Sequence, residues 1–290
     1  MRLVLFHLPS VAVLLFDAFE LPCSRKLATQ LPFYVEPAAE EVLISWLWRL
    51  ASRLQISMRT LVQGTFQIDP RTDDWQHGHR PAPWVLQRMS HRTGVGLGKL
   101  RSMIFDVWAP FGRRGKQRFE QRSASGRAHS LAVCGQCLTE DPHPYLRLSW
   151  MIDWMGVCSR HQVILLTHCP QCRAKVCLPS PSSHKGFTPA SCSRCGIVLD
   201  NARPIPVCPS VTALQSQLLT GKRHGMTEIE GLGHLSWSEV VALADVLSDM
   251  WAVASIPDRY FLLHQQEFHS IDHHHHRYGS LALLAALLRG

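Results

Sequence analysis

Four short ligand pairs between Cys134 and Cys195 constrain this chain more than any other feature. Cys134 and Cys137, Cys158 and His161, Cys169 and Cys172, and Cys192 and Cys195 are each separated by two residues. That spacing puts two soft donors on one tight turn, aimed at a common ion. Zn²⁺ takes four sulfur or nitrogen donors in a tetrahedron, so four pairs close two sites. One site would hold three thiolates and an imidazole, the other four thiolates. Sequential pairing joins Cys134, Cys137, Cys158 and His161, then Cys169, Cys172, Cys192 and Cys195. Interleaved pairing, first with third and second with fourth, would make a cross-braced module instead. The two sequential loops are nearly equal in length, which favours sequential pairing. Disulfides need an oxidising compartment, and a redox C-x-x-C is one dithiol, not four repeated pairs. A catalytic zinc keeps one coordination position open. Here the ligand count fills both sites, so two structural zinc ions are expected.

A chain of 290 residues has room for two or three small domains. Its formal charge of +8 and pI near 9.1 favour a polyanionic partner, nucleic acid first. No run of 18 or more apolar residues is present, so no membrane-spanning helix is expected. Met1 and Arg2 lead into an apolar run through Phe16, broken by His7 and Pro9. The positive flank is thin for a signal peptide, and export conflicts with cysteines that must stay reduced. Residues 1–30 are read as a leader or start-site extension, and the protein is placed in the cytoplasm.

Residues 31–127 read as a helical domain with a basic linker. Val42, Leu43, Trp46, Leu47, Leu50 and Leu54 recur at three- and four-residue steps, which predicts a helix over 40–54. A break at Gln55-Ile56-Ser57 precedes a second helix from Met58, with Ser57 as its N-cap. A second pair follows, Trp84–His91 and Leu97–Phe105, joined by Thr93-Gly94-Val95. Both outlines suit a helix-turn-helix. The segment from Lys99 to Arg127 is rich in cations on a Gly- and Ser-containing background. Lys99, Arg101, Arg113, Arg114, Lys116, Arg118 and Arg122 are the candidate nucleic-acid contacts, able to neutralise phosphates and release counterions.

Residues 128–208 hold the two zinc modules. Tyr145–Trp154 is apolar and aromatic and is expected to pack over the ligands, with Trp150 and Trp154 on one helical face. Val163–Leu166 reads as a strand. Cys177 and Cys208 fall outside the four pairs, although Cys177 competes for a place in the second site. Residues 209–290 read as a C-terminal helical segment. Ser210–Leu219 is helical, Gly221–His224 is a basic break, and Ser236 with Glu239 forms a capping box. His273–His276 reads as a solvated polar tract and Ser280–Leu288 as a buried terminal helix. The fold class is therefore mainly α with small zinc-ribbon or zinc-finger modules: an N-terminal helix-turn-helix domain, a central two-zinc module and C-terminal helices.

The order of these motifs carries a family likeness. A Pro-led start, Ser45-Trp46-Leu47-Trp48-Arg49-Leu50-Ala51 and a Thr-Gly-Val turn come first. Cys134-x2-Cys137, an aromatic Tyr-Leu-Arg segment, Cys158-x2-His161 and Cys169-Pro-x-Cys172 follow. Over about residues 31 to 200 this resembles the TniQ family, target-selection proteins of transposons that also encode a transposase and an AAA+ ATPase regulator. The resemblance implies zinc ligation by the eight residues named above. It also implies an adaptor without catalytic activity of its own, which joins a target, DNA or a CRISPR effector complex, to the ATPase and the transposase. A homodimer is compatible with it. The first 30 residues precede the usual start, and the tail beyond about residue 210 is short beside the DNA-specific members.

Two other classes compete. A freestanding zinc-containing DNA-binding regulator would use the same basic surface without transposition partners. An enzyme would need chemistry the sequence does not offer: there is no His-Glu-x-x-His, no Walker A sequence and no carboxylate cluster. Glu140-Asp141 is one of three adjacent acidic pairs and reads as a loop without a ligand set.

Overall fold

The computed structural model describes residues 30–31, 33, 35–69, 81–104, 131–151, 155–178, 188–199, 204, 206–229, 231–240, 242–243, 246, 281–282 and 285. Its elements are helices with two small antiparallel sheets. No described helix is long and apolar enough to cross a membrane.

The first helix, α1 (Leu43–Arg53), is the hub. Eight of its eleven residues are buried, and Trp46 is wholly enclosed, its indole N–H donating to the Val35 carbonyl at 2.6 Å. The helix begins three residues later than the apolar pattern predicts. Glu40 takes a left-handed φ of 55°, and Glu41 pairs in a bridge with Arg147, which takes both out of the helix. Leu54 ends it, and Gln55 turns the chain with φ 58°. Ser57 then caps α2 (Met58–Thr60), accepting the Thr60 N–H at 3.0 Å as predicted. The helix continues as a π-helical turn over Leu61–Thr65.

α3 (Pro83–Thr93) starts with proline at its first turn, where the missing N–H costs nothing. It ends in the Thr-Gly-Val turn. Gly94 takes φ 75°, the left-handed conformation that favours glycine at a helix end. The Thr93 hydroxyl donates to Met89 O and accepts from the Val95 N–H, while Ser90 Oγ donates to Val95 O. α4 (Leu97–Ser102) is shorter than predicted. Met103 caps it, and the Met103 carbonyl accepts the N–H of Leu43, returning the chain to α1. Phe105 lies outside the described residues.

The region of the four Cys/His pairs packs onto this helical unit directly. Val42 N–H donates to Leu146 O at 3.0 Å and Leu148 N–H to Glu40 O at 2.7 Å. Ser45 Oγ donates to Glu41 and accepts from the Leu146 N–H. One core of buried side chains runs from Val42 through Trp150 to Cys134, Cys137, Cys158, Cys169 and Cys192. Trp150 is core, as read, but sits on a 3-10 turn over Leu148–Met151. Trp154 lies outside the described residues. The expected strand over 163–166 is shorter. β1 (Val157–Cys158) pairs with β2 (Val163–Ile164), and Leu166 bridges to Val133.

A second core holds the C-terminal segment. α6 (Pro209–His224) follows α5 (Gly135–Glu140), described below. The break expected at Gly221–His224 is absent. An internal glycine weakens a helix by only about 1 kcal/mol, and the stop signal is Gly225, with φ 77°. Beyond it stands a hairpin the sequence reading did not anticipate, β3 (Met226–Ile229) against β4 (Gly233–Ser236). The Ser236–Glu239 capping box forms: Ser236 N–H reaches Glu239 Oε2 at 2.7 Å and Glu239 N–H reaches Ser236 Oγ at 3.4 Å. Leu281 and Ala285 are buried in this core, in line with a buried terminus. The β1–β2 hairpin separates the cores. Cys158 and Val163 face the helical side, and Val157 and Ile164 face α6. The buried Gln215 amide acts as a third strand there, donating to Val157 O at 2.8 Å and accepting Val157 N–H at 3.2 Å.

Candidate metal centres

The eight predicted ligands come together as two groups of four, in the sequential pairing. In each group the sulfur and imidazole nitrogen atoms all lie within 4.8 Å of one another. In the first, Cys134 is the N-cap of α5 and Cys137 lies one turn on. Cys158 ends β1 and His161 sits in the β1–β2 turn. His161 Nδ1 is 3.4 Å from Cys134 Sγ, 3.3 Å from Cys137 Sγ and 3.7 Å from Cys158 Sγ, and Cys137 and Cys158 sulfurs are 3.6 Å apart. In the second, Cys169 and Cys195 sulfurs are 3.6 Å apart and Cys172 and Cys192 sulfurs 3.7 Å. A tetrahedron with Zn–S of about 2.3 Å and Zn–N of about 2.0 Å has edges of roughly 3.5–3.8 Å. The spacings fit that ion, and all four corners are protein donors.

Three of the four pairs share one backbone turn. The N–H of the residue after the second ligand donates to the carbonyl of the first: Gln162 to Cys158 at 2.8 Å, Arg173 to Cys169 at 3.0 Å, Gly196 to Cys192 at 2.9 Å. That residue is left-handed each time, with φ 53°, 57° and 76°. A short bridge closes each hairpin: Cys158 with Val163, His168 with Lys175, Ser191 with Val198. The pair at Cys134 and Cys137 is built on a helix instead.

The thiols oppose one another's ionisation. Hydrogen bonds from Cys134 and then Cys137 hold Cys158 down at about 2, while Cys137, bonded to Cys134 and Cys158, is pushed far above the ordinary 9.0. In the second group burial works against Cys192, yet the Cys195 and Arg194 N–H groups bring it down to about 7. Cys195, despite the Ile197 N–H, is pushed up to about 12, its neighbours Cys172, Cys169 and Cys192 contributing. Four thiols, or three and an imidazole, share charge poorly alone and well around a dication.

Glu140, set aside by sequence reading as part of a loop pair, stands behind the first centre. Its Oε2 lies 3.0 Å from His161 Nε2 and 2.7 Å from Arg160. A carboxylate on the far nitrogen fixes the tautomer that turns Nδ1 toward the sulfurs. The available signal was Glu140 three residues after Cys137, one helical turn along α5. Asp141 pairs with Arg147 at 2.9 Å, whose guanidinium packs on Tyr145 at 4.4 Å and Trp150 at 4.9 Å. Cys177 stays out of the second centre, its sulfur 3.3 Å from Ser193 Oγ, and Cys208 lies near Ser210.

Residues 32–165 match the TniQ family model. This stretch belongs to the TniQ family. It takes in the helical unit, the tie at Ser45 and the whole first centre, and stops short of Cys169. The second centre and everything after it lie beyond the matched region. Comparison with curated proteins finds no match. Of the predicted nucleic-acid contacts, Lys99 and Arg101 are exposed on α4. Arg113, Arg114, Lys116, Arg118 and Arg122 lie outside the described residues, as do Cys23 and His273–His276.

Proposed function

We propose that this TniQ protein is a non-catalytic target-selection adaptor of DNA transposition. It would link a target, DNA or a CRISPR effector complex, to an AAA+ ATPase regulator and a transposase. The observation that carries the reading is the family match over residues 32–165, since TniQ proteins are associated with choosing transposition targets. Its chemistry is binding. The first centre would hold zinc through Cys134, Cys137, Cys158 and His161, and the second through Cys169, Cys172, Cys192 and Cys195. Such ions supply rigidity: each fixes two turns that have few apolar side chains of their own. With four protein donors at each, neither centre leaves a position for a reacting water.

The helix pairs α1–α2 and α3–α4 would serve as helix-turn-helix units, presenting Arg59 and Gln63 from one and Lys99 and Arg101 from the other. The reduced thiols suit the cytoplasm. In this reading the chain would divide, in order, into a helical domain over 31–127, zinc modules over 128–208 and a C-terminal segment over 209–290. A second reading, a freestanding zinc-containing DNA-binding regulator, rests on the same exposed cations. Pull-down of the AAA+ ATPase regulator by the zinc-loaded chain separates them. Retention of the ATPase, with loss of targeted insertion when the gene is deleted, supports the adaptor. Sequence-specific DNA binding without ATPase retention supports the regulator.

A further inference from the structure

We infer that the exposed turns of the second metal centre form a contact surface for the phosphate backbone of duplex DNA, engaged by Arg173, Lys175 and Arg194. From Gln162 to Leu199 the sequence contains no aspartate or glutamate. Arg173, Lys175 and Arg194 are all exposed, and among the described residues none has an ion-pair partner. This contrasts with the first centre, where Arg160 is tied to Glu140 and Arg147 to Asp141.

The fold places Arg173 and Arg194 on the two ligand turns of the second centre and Lys175 beside the first of them. Arg173 follows Cys172 at the left-handed position of its turn, and Arg194 lies between Cys192 and Cys195 in the facing turn. Those turns converge through sulfurs 3.6 and 3.7 Å apart. Lys175 sits opposite His168 at the foot of the first turn. A zinc ion held by four thiolates would carry a net double negative charge, which Arg173 and Arg194 together balance. Lys175, outside both ligand turns, adds cationic charge that this does not absorb. Ile197 and Val198 are exposed by 37% and 48% beside them. Two aliphatic side chains fall far short of the roughly 800 Å² per partner of a standard protein interface, so this surface suits a charged backbone better than a protein. A phosphate row also matches the geometry of separated, unpaired cations on rigid turns.

This surface deepens the adaptor reading and rests on it. Its residues are other than Lys99–Arg122 in the sequence and lie beyond the TniQ match. The test is binding of the full, zinc-loaded chain to a random-sequence DNA duplex by fluorescence anisotropy over a salt series, with zinc content measured for every variant. Each lost phosphate contact lowers the log–log salt slope by about 0.9. Arg173→Gln/Lys175→Gln/Arg194→Gln should lower the slope by about 3 and weaken low-salt binding by about tenfold or more, with two zinc ions retained. Lys175→Gln alone should lower it by about 1. Unchanged slope and affinity in the Lys175→Gln and triple variants overturn the proposal. So does loss of binding that follows loss of zinc in the triple variant while Lys175→Gln binds normally, because the arginines then serve the centre alone. If variants and parent all fail to bind DNA while the chain still retains the ATPase, the surface is wrong and the adaptor reading stands. Binding of an acidic protein partner that the triple variant abolishes, without any effect on DNA, likewise overturns it.

Discussion

Single side chains decide how firmly each centre is held. Glu140 touches no sulfur, yet it faces the outer nitrogen of His161 at 3.0 Å. Losing such a partner typically weakens metal affinity by about 10–100-fold. Glu140→Ala should therefore release one zinc to a competing chelator in that range while the Cys169 centre keeps its own. Glu41 makes a second residue-scale case. It is fully enclosed, hydrogen-bonded to Ala38 N–H and Ser45 and ion-paired with Arg49. Burial raises its carboxyl above the ordinary 4.5 despite those partners, the Ala38 N–H and Arg49 charge chief among them. The folded chain thus holds this proton more tightly than the unfolded one. The stabilisation is complete below 4.5 and is lost as pH rises through the raised folded value. Glu41→Gln should remove that part of the pH dependence, so urea-unfolding curves of variant and parent should change differently with pH above 4.5. Identical pH dependence would contradict the assignment.

At the scale of elements, the ligand turns were readable because two-residue spacing leaves a small set of backbone solutions. The turns at Cys158, Cys169 and Cys192 repeat one hydrogen bond and one left-handed residue. Gly196 takes φ 76° with open space where a Cβ would go, so a substitution there meets backbone strain alone. Gly196→Val should cost about 1–2 kcal/mol, whereas Arg173→Gly should be neutral or slightly stabilising. Thermal melts of the zinc-loaded proteins would check both. α1 was legible from apolar periodicity, α2 from its Ser57 cap, and the end of α3 from the Thr93-Gly94-Val95 turn. The β3–β4 hairpin was not. β3 alternates strictly in burial, but an apolar Met226 stands 55% exposed and a polar Thr227 is buried, and β4 is exposed or half-buried throughout, so residue type does not report the alternation. The start of α1 was misplaced for a tertiary reason: Glu40 and Glu41 are claimed by the segment at Arg147 and Leu148, over a hundred residues away in the chain. No local pattern encodes that pairing. Glu140 was missed for the same reason, because its role depends on where the β1–β2 turn places His161.

Across the whole molecule, the two centres are embedded to different depths. Cys134, Cys137 and Cys158 are buried in the core that also contains Trp46 and Leu50 of α1, whereas Cys195 of the second centre is exposed. Cys158→Ser should lose about one zinc and lower the cooperative melting temperature of the helical unit. Cys195→Ser should also lose about one zinc and leave most of that transition in place. Zinc content by elemental analysis, paired with helical circular dichroism during melting, distinguishes the two. Equal effects on the melt would mean that the second centre is coupled to the helices more tightly than its exposure indicates.

The β1–β2 hairpin is only two residues wide on each strand, and it has two dry sides. One side completes the helical core and the other is sealed by α6, with Gln215 clasping Val157 through both of its amide atoms. A protein shortened to end before Pro209 would keep every cysteine and histidine of both centres. It would nevertheless bare Val157 and Ile164 and orphan a backbone amide and carbonyl beside the first centre. Such a fragment should bind its zinc and still precipitate, so the minimal soluble unit extends past the last ligand to the helix that shields the back of the first.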